Sequence, residues 1–475
     1  MRATDKAGLF ARRLGGALLW LALLLAVPVA YGHTPQHSSG PGSQSGVARD
    51  HRAVIFVHGF DGSGAQFESQ KLRFTSNGYP QRYIAVFEYD SSQFAGALQA
   101  GGITGPITRA QEKPLFARMD RLIAHMKAIT HRGKVDLVAH SLGTKLMQDY
   151  LNSSRRRAGN VAHYVNIDGQ TTNSSPGGVR TLALWATKGP LSPPGRSIKG
   201  AKNVSIADSS HVQCATSPRS FWWMYKFFND KAPNTTRIVP QKGKITLSGR
   251  DVNFPQNTGL SGATVQVWPL NQATGHRIGR KPIASFKIGS SGDFGPVSVR
   301  SGRRYEFAEV RPGFPVHHFY YQPFIRSDHL IRLLESDPLR LAGGPPDPRF
   351  VGMVIIRYKE LWGDQGSQSD VLKINRLGVC NPTTCPLSKE VNGLFAADFD
   401  HDGKSNTSET WPTYQALGYF ISSVDVFVSA HKPPTGTVTV GLKDRGKGPL
   451  RTITFPNFPS TTGVVTVQFN DYDQP

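Results

Sequence analysis

Cysteine is scarce in this chain: three among 475 residues, at positions 214, 380 and 385. So few thiols cannot staple a protein of this size, which excludes a disulfide-built scaffold and leaves stability to apolar cores. No matching Cys/His pair lies near them, so a zinc site is not expected. Cys380 and Cys385 bracket Asn-Pro-Thr-Thr, a turn-forming loop, and are expected to pair in an oxidising compartment, with Cys214 left as a buried thiol. Acidic residues are also few, 33 against 55 Lys and Arg, for a formal net charge of +22. That excess suits an anionic surface such as phospholipid headgroups or an acidic cell-wall polymer, or it is a solvated basic face that keeps the protein soluble. No nucleic-acid-binding motif accompanies it, so nucleic acid is not expected as a partner. No internal repeat stands out. What is plentiful is Gly (49) and Pro (33), which implies many turns, and a length that implies two or three domains.

The amino terminus is set apart from the fold. Arg2, Lys6, Arg12 and Arg13 precede an apolar run at 14–29, and Ala30-Tyr31-Gly32 puts small residues at the two positions a signal peptidase inspects. Residues 1–32 therefore read as a secretory signal peptide cleaved near Gly32, making the protein secreted or extracytoplasmic. The alternative, an uncleaved anchor, meets a run on the short side for spanning a bilayer. Residues 33–50, rich in Ser, Gly, Pro and Gln, read as a flexible leader.

From 51 to 232 strand and helix patterns alternate. Near-continuous apolar strands are expected at 53–57, 83–89, 134–139, 161–167, 180–186 and 203–206. Helices are expected at 114–129, with Leu115, Met119, Leu122, Ile123 and Met126 on one face, and at 218–228. This is the pattern of a parallel sheet covered by helices on both faces, an α/β domain. After a linker at 231–243 the period becomes two: Val265 and Val267, then Val438, Val440 and Leu442, then Val465, Val467 and Phe469 alternate with polar residues. An all-β sandwich is expected at 241–335 and a second β-rich unit at 349–475, either separate or packed with the first as one body.

The segment KVDLVAHSLGTKLMQDYL, 134–151, changes period at Ser141: an apolar strand precedes it, and Leu142, Leu146, Tyr150 and Leu151 follow at helical spacing. A serine at a tight strand-to-helix join, flanked by small residues, is a nucleophile elbow; here the pentapeptide is AHSLG, with Ala139 in place of the usual first glycine. Upstream, VIFVHGFDG at 54–62 is a buried strand ending in a glycine-rich turn, the element that offers a backbone N–H to a developing oxyanion.

These residues resemble a secreted bacterial-type lipase of the α/β-hydrolase superfamily, in the branch with A-H-S-x-G elbows. The layout, a lipase domain followed by a C-terminal β domain, is similar to that of a two-domain archaeal lipase. The motifs cover 53–230; beyond that only the architecture is similar. The resemblance implies a triad in the chain order Ser, acid, His. His211, after the last strand in IADSSHVQ, stands where the family puts its base. The commonest place for the acid, after 181–186, holds no carboxylate, but Asp168 ends the preceding strand, where some lipases of this kind carry it; Asp208 is the rival. His58, His140 and His163 are expected to pack or hydrogen-bond. Backbone N–H groups of Phe60 and Leu142 would form the oxyanion hole. A serine nucleophile implies acyl transfer, with no cofactor for catalysis.

The expected activity is that of a carboxylic ester hydrolase, a lipase or esterase working through an acyl-enzyme. Its substrate would be a lipid or other ester, at a membrane or lipid-droplet surface, with the β domains assisting binding. An acyltransferase or polyester depolymerase would use the same triad, and a surface-binding protein with an inert hydrolase domain is the alternative of another class. The stretch 91–113, with Phe94, Leu98, Ile103 and Ile107, reads either as a mobile apolar cover or as a short helix packed on the core.

One motif lies outside this reading. DFDHDGKSNTSE, 398–409, fits D-x-D-x-D-G-x5-E, which would set Asp398, Asp400, Asp402, Lys404, Asn406 and Glu409 around a structural calcium, or else forms an acidic solvated turn. Trp411-Pro412 begins an exit helix poorly, so a single calcium-stapled loop rather than a paired EF-hand is expected.

Overall fold

Strands β1 (Val54–Val57) and β3 (Val135–His140) are buried along their whole length, and the layering explains why. In this computed structural model, which describes residues 51–99, 102–103, 107–336, 346–415 and 420–472, they lie inside a six-stranded sheet with β2 (Ile84–Phe87), β4 (Val161–Ile167), β5 (Arg180–Ala186) and β6 (Lys202–Ile206). The order is β2-β1-β3-β4-β5-β6, and every neighbouring pair is parallel. Alternate side chains feed two cores. Ile55 and Val57 pack with α2 (Arg109–Thr130) and α3 (Leu142–Asn152), whereas Val54 and Phe56 pack with α1 (Glu68–Ser76) and α6 (Pro218–Asn229). Two short helices, α4 (Arg155–Gly159) and α5 (His211–Thr216), complete this α/β layer. The signal segment and leader expected at 1–50 lie outside the described residues.

Helix α2 starts at Arg109, earlier than the apolar periodicity alone indicates. Thr108 and Gln111 form a capping box there, Thr108 Oγ1 accepting from the Gln111 N–H at 3.3 Å, and such reciprocal bonds satisfy otherwise orphaned amides. The stretch before it, read as a cover or a packed helix, holds a 3-10 segment at Ser92–Ala97 and a two-stranded ribbon of Leu98–Gln99 with Gly102–Ile103. Phe94 is 2% exposed and belongs to the core under α2, which favours the packed reading at that residue; the side chains of Leu98 and Ile103 lie outside the described residues.

Beyond residue 243 the structure is β. An eight-stranded sheet runs in the order Ala284–Lys287, Thr264–Pro269, Tyr305–Val310, Val316–Tyr321, Gly463–Phe469, Met353–Arg357, Gly393–Ala397, Ile421–Asp425. One half faces a sheet built on Lys244–Asn253, with Leu247, Val265, Phe307 and Leu333 between them. The other half faces a sheet containing Val371–Ile374, Thr437–Lys443 and Arg451–Pro456, with Ile355, Leu394, Val440 and Val467 between them. The last strand, Gly463–Phe469, runs parallel to both of its neighbours, Val316–Tyr321 and Met353–Arg357. The sequence pattern divides this region near 337–348, but that strand joins both halves through main-chain hydrogen bonds.

The β region meets the α/β layer through buried polar contacts. Lys71 of α1 pairs with Asp328 at 3.1 Å, both fully buried, and Arg332 pairs with Glu88 at 2.8 Å. Arg73 donates to the carbonyls of Asp471 and Tyr472, each at 3.1 Å.

Candidate active site

Ser141 stands at the carboxyl end of β3 as the residue before α3, with φ 52° and ψ −126°. This left-handed conformation strains a residue with a Cβ and is held only where the surroundings over-determine it. Two glycines make the bend possible. A Cβ on Gly143 would strike the carbonyl oxygen of His58, and one on Gly59 would lie 2.8 Å from the Ser141 Cβ. The β1 turn therefore packs directly against the elbow, which brings the backbone of Phe60, next in the chain, beside Ser141. Leu142 is the first residue of α3, where N–H groups have no intrahelical partner.

Asp168 follows β4, buried, with φ 45°. Its Oδ2 lies 2.6 Å from His211 Nδ1 and accepts from Ser192 Oγ at 2.6 Å; its Oδ1 accepts from the Ala186 N–H at 2.7 Å and from Arg196 Nη2. Burial pushes this carboxyl upward, but the bonds from His211, Arg196 and Ser192 outweigh it and hold it below the usual carboxylate range. Asp168 is thus a carboxylate at neutral pH, oriented on four sides. His211 is 3% exposed, and its Nε2 has no hydrogen-bond partner among the described residues. The structure brings Asp168 and His211 into contact and sets the His211 ring 4.5 Å from that of His140, the residue before Ser141; no hydrogen bond joins Ser141 Oγ to His211 Nε2. Asp208, the rival acid, is exposed and pairs with Lys188 at 3.5 Å.

The other histidines are accounted for. His58 accepts the Tyr89 N–H at Nε2 (3.2 Å) and contacts the Gly59 carbonyl through Nδ1 (2.8 Å), and burial lowers it to about 4. It is a neutral clamp on the β1 turn. His140, lowered to about 3 by burial and by His211, accepts from Gln66 Nε2 at 2.7 Å and donates to the His211 carbonyl at 3.0 Å. His163 pairs with Asp136 at 2.8 Å, beneath Arg52 and Arg180.

Three contributors carry no sequence signal. Arg196 and Ser192 sit in the irregular segment after β5, where the pattern offers only Gly and Pro. Glu360 comes from the β region: its carboxylate accepts from the Val212 N–H, from Ser210 Oγ and, at 3.3 Å, from the Gln213 N–H, so it closes the amino end of the short helix that begins at His211. Beside it Glu390 is pushed up to about 11 by burial and by Glu360, and is therefore a protonated acid at neutral pH. These residues are separated from His211 by about 150 and 180 positions, and no local pattern could have joined them.

An apolar cavity of about 410 Å³ lies in the β region; Ser141, Asp168 and His211 do not line it, and it borders the site only through Asp61 and Phe420. Its lining includes Asp61, Phe254, Phe314, Tyr358, Phe395 and Phe420. Asp61 adjoins Phe60 at the elbow, and the Phe420 ring lies 6.5 Å from that of His211.

One expectation is corrected and another rests on fewer side chains. Cys380 and Cys385 are free thiols rather than a disulfide; the turn between them is closed instead by hydrogen bonds, from the Cys385 N–H to the Asn381 carbonyl at 2.8 Å and from Thr384 Oγ1 to the Val379 carbonyl at 2.5 Å. Cys214 is buried on α5, as its sequence context implies. Of the six expected calcium ligands, only Asp398, Asp400 and Asp402 converge. The Lys404 ammonium turns back to Asp402 at 3.8 Å, and Asn406 Nδ2 donates to Glu409 Oε2 at 3.2 Å, so the two later side chains satisfy each other outside the cluster.

Residues 51–163 match the family model described as Lipase (class 2), residues 243–338 the model described as Lipase C-terminal domain, and residues 345–473 a further model of a C-terminal domain. No curated protein matches the chain. Among solved structures, a protein from Thermoplasma acidophilum titled a predicted CIB-like hydrolase is 16% identical, with a TM-score of 0.27 over 38% of this chain and 84% of its own. A gene product from Listeria innocua is 12% identical, with a TM-score of 0.25 over 39% and 97%. By fold the chain is an α/β hydrolase followed by a β region, similar to a lipase with a C-terminal domain. By the models it matches, it is a hydrolase of the lipase or esterase type.

Proposed function

We propose that the chain is a serine carboxylic ester hydrolase, a lipase that works through an acyl-enzyme at Ser141. The observation that carries this reading is the buried Asp168–His211 pair beside the elbow, with His211 Nε2 left open. Asp168 fixes the proton on Nδ1, so Nε2 is the basic nitrogen. When an ester carbonyl enters, Nε2 takes the Ser141 hydroxyl proton as Oγ bonds to the carbonyl carbon, and the oxyanion turns to the N–H groups of Leu142 and Phe60. Each such donor lowers the barrier by about 3 kcal/mol. The imidazolium returns its proton to the leaving alkoxide, and water repeats the cycle to release the acid. The hydrogen bond from Ser141 Oγ to His211 Nε2 is one that forms as substrate binds.

The cavity between Asp61 and Phe420 is apolar and supports an acyl chain of some length in preference to a small polar acid. The basic residues and apolar run within 1–32 and the formal net charge of +22 support a reading of export and action at an anionic lipid interface. Turnover of p-nitrophenyl esters of increasing acyl length is the test: kcat/KM is expected to rise from acetate to long acyl chains and to vanish in Ser141→Ala. A preference for acetate would sink the lipase reading, transfer to an alcohol in place of water would make the enzyme an acyltransferase, and turnover that survives Ser141→Ala would remove the serine mechanism.

A further inference from the structure

The motif at 398–403 is not absorbed by ester hydrolysis. Asp398 follows the strand Gly393–Ala397 and is fully buried. One of its oxygens, Oδ2, accepts the Gly403 N–H at 3.1 Å, while Oδ1 is buried without any hydrogen-bond partner. An orphaned carboxylate oxygen in the interior is costly and calls for a missing partner. Asp400 and Asp402 face it, each offering an oxygen, and the three ligand atoms lie within 4.8 Å of one another. Oxygens gathered this closely are within reach of a single ion of the calcium type, whose bonds are about 2.3–2.6 Å and whose geometry is flexible.

From this geometry we infer that Asp398, Asp400 and Asp402 bind a divalent cation of the calcium type. The donors are all oxygens, which excludes a preference for softer metals. The loop is pre-shaped for it: Gly403 takes φ 76°, and Asp425 beneath holds both arms, accepting from the Phe399 N–H at 3.0 Å and the Asn406 N–H at 2.9 Å. Among the described residues no side-chain cation is in ion-pair contact with Asp398: Lys404 is 82% exposed and reaches only Asp402, and Arg349, which bonds the His401 carbonyl of the loop, spends its ion pair on Asp347. The contrast is the buried cluster of Glu309, His317 and Glu335, whose ligand atoms are equally close. There Arg311 bonds Glu309 at 2.8 Å and lies 3.4 Å from Glu335, so a guanidinium already supplies the positive charge.

The ion would act on the ester site through the cavity wall. The loop joins the strands Gly393–Ala397 and Ile421–Asp425, whose Phe395 and Ile421 line the cavity together with Phe420. Trp411, stacked on Phe399 at 5.6 Å, provides a built-in sensor. The full chain is stripped with chelator and titrated with terbium, following emission excited through tryptophan, and then with calcium, following thermal unfolding. Wild type is expected to give saturable emission that calcium displaces, and a melting temperature several degrees higher at calcium a hundredfold above Kd. Asp400→Asn, which changes an exposed loop residue, is expected to lose both signals, and Asp398→Asn likewise. Undiminished emission and calcium shift in Asp400→Asn, or no saturable signal in wild type, overturns the site. An equal melting shift from magnesium overturns the assignment to calcium.

Discussion

Ser141 occupies a backbone conformation that costs about 1–3 kcal/mol for any residue bearing a Cβ. The strain is offset by the packing of Gly59 and Gly143 against the elbow, which holds Ser141, 8% exposed, at the join of strand and helix. Because glycine enters the left-handed region without that penalty, Ser141→Gly is expected to melt at a higher temperature than Ser141→Ala, by an amount matching about 1 kcal/mol, although both are inactive. Equal melting temperatures would show that the bend stores no strain. Asp168 acts at the same scale. Asp168→Asn leaves the size of the side chain intact but removes the charge that fixes the His211 tautomer, and kcat is expected to fall about 10³–10⁴-fold with KM little changed. A loss of less than tenfold in steady-state kinetics would leave Asp168 as a structural residue only.

At the scale of elements, the helix carrying His211 is the weak point. It has six residues, too few to be stable alone, and a glutamate from the β region closes its amino end. Glu360→Gln replaces one of the two acceptor oxygens with an amide NH₂, so the side chain cannot accept from the Val212 N–H and the Ser210 hydroxyl at once. The expected result is a fall in kcat of about 10–100-fold, the penalty of a misplaced base, with KM unmoved and partial rescue in Glu360→Asp. A fall in thermal stability with kcat intact would make the contact structural alone. The neighbouring Glu390 gives a pH signature. It keeps its proton to about 11 in the folded protein, far above the ordinary carboxyl range. The folded state therefore binds the extra proton throughout that interval, and stability is lost as pH rises through it. Glu390→Gln keeps a donor toward Glu360 but cannot ionise, so its melting temperature is expected to gain on wild type between about pH 6 and about pH 9. A constant difference across that range would contradict the assignment.

The parallel sheet and the strand-to-helix bend at Ser141 were legible in the sequence because each rests on a local pattern, apolar runs and one abrupt change of period; Asp168 and His211, which the structure brings into contact, were named from the resemblance. Helix α2 was read short because its start is set by Thr108 and Gln111, which are polar and invisible to apolar periodicity. Arg196, Ser192 and Glu360 were not legible, since they come from irregular segments whose positions depend on the whole packing. The boundary near 337–348 was legible from its cluster of Gly and Pro and falls where the two matched C-terminal models divide, between 338 and 345; the strand Gly463–Phe469, which joins both halves in one sheet, had no local signal.

For the whole molecule, the α/β layer and the β region are joined by charges removed from water. Lys71 and Asp328 are both fully buried, and loss of one partner of such a pair costs about 3–5 kcal/mol because the other charge is stranded. Lys71→Met is expected to lower stability by that order while calorimetry still shows a single transition, since the Arg332–Glu88, Arg73 and Glu360 contacts still tie the α/β layer to the β region. Two separated transitions in wild type would show that the regions fold independently. The central claim, that one strained serine is the nucleophile, is tested most directly by treating the intact protein with a fluorophosphonate and mapping the adduct by mass spectrometry. A single adduct on Ser141, formed far more slowly when His211 is replaced by Ala, is the expected result. An unmodified Ser141 peptide, or an adduct on another residue, would contradict it.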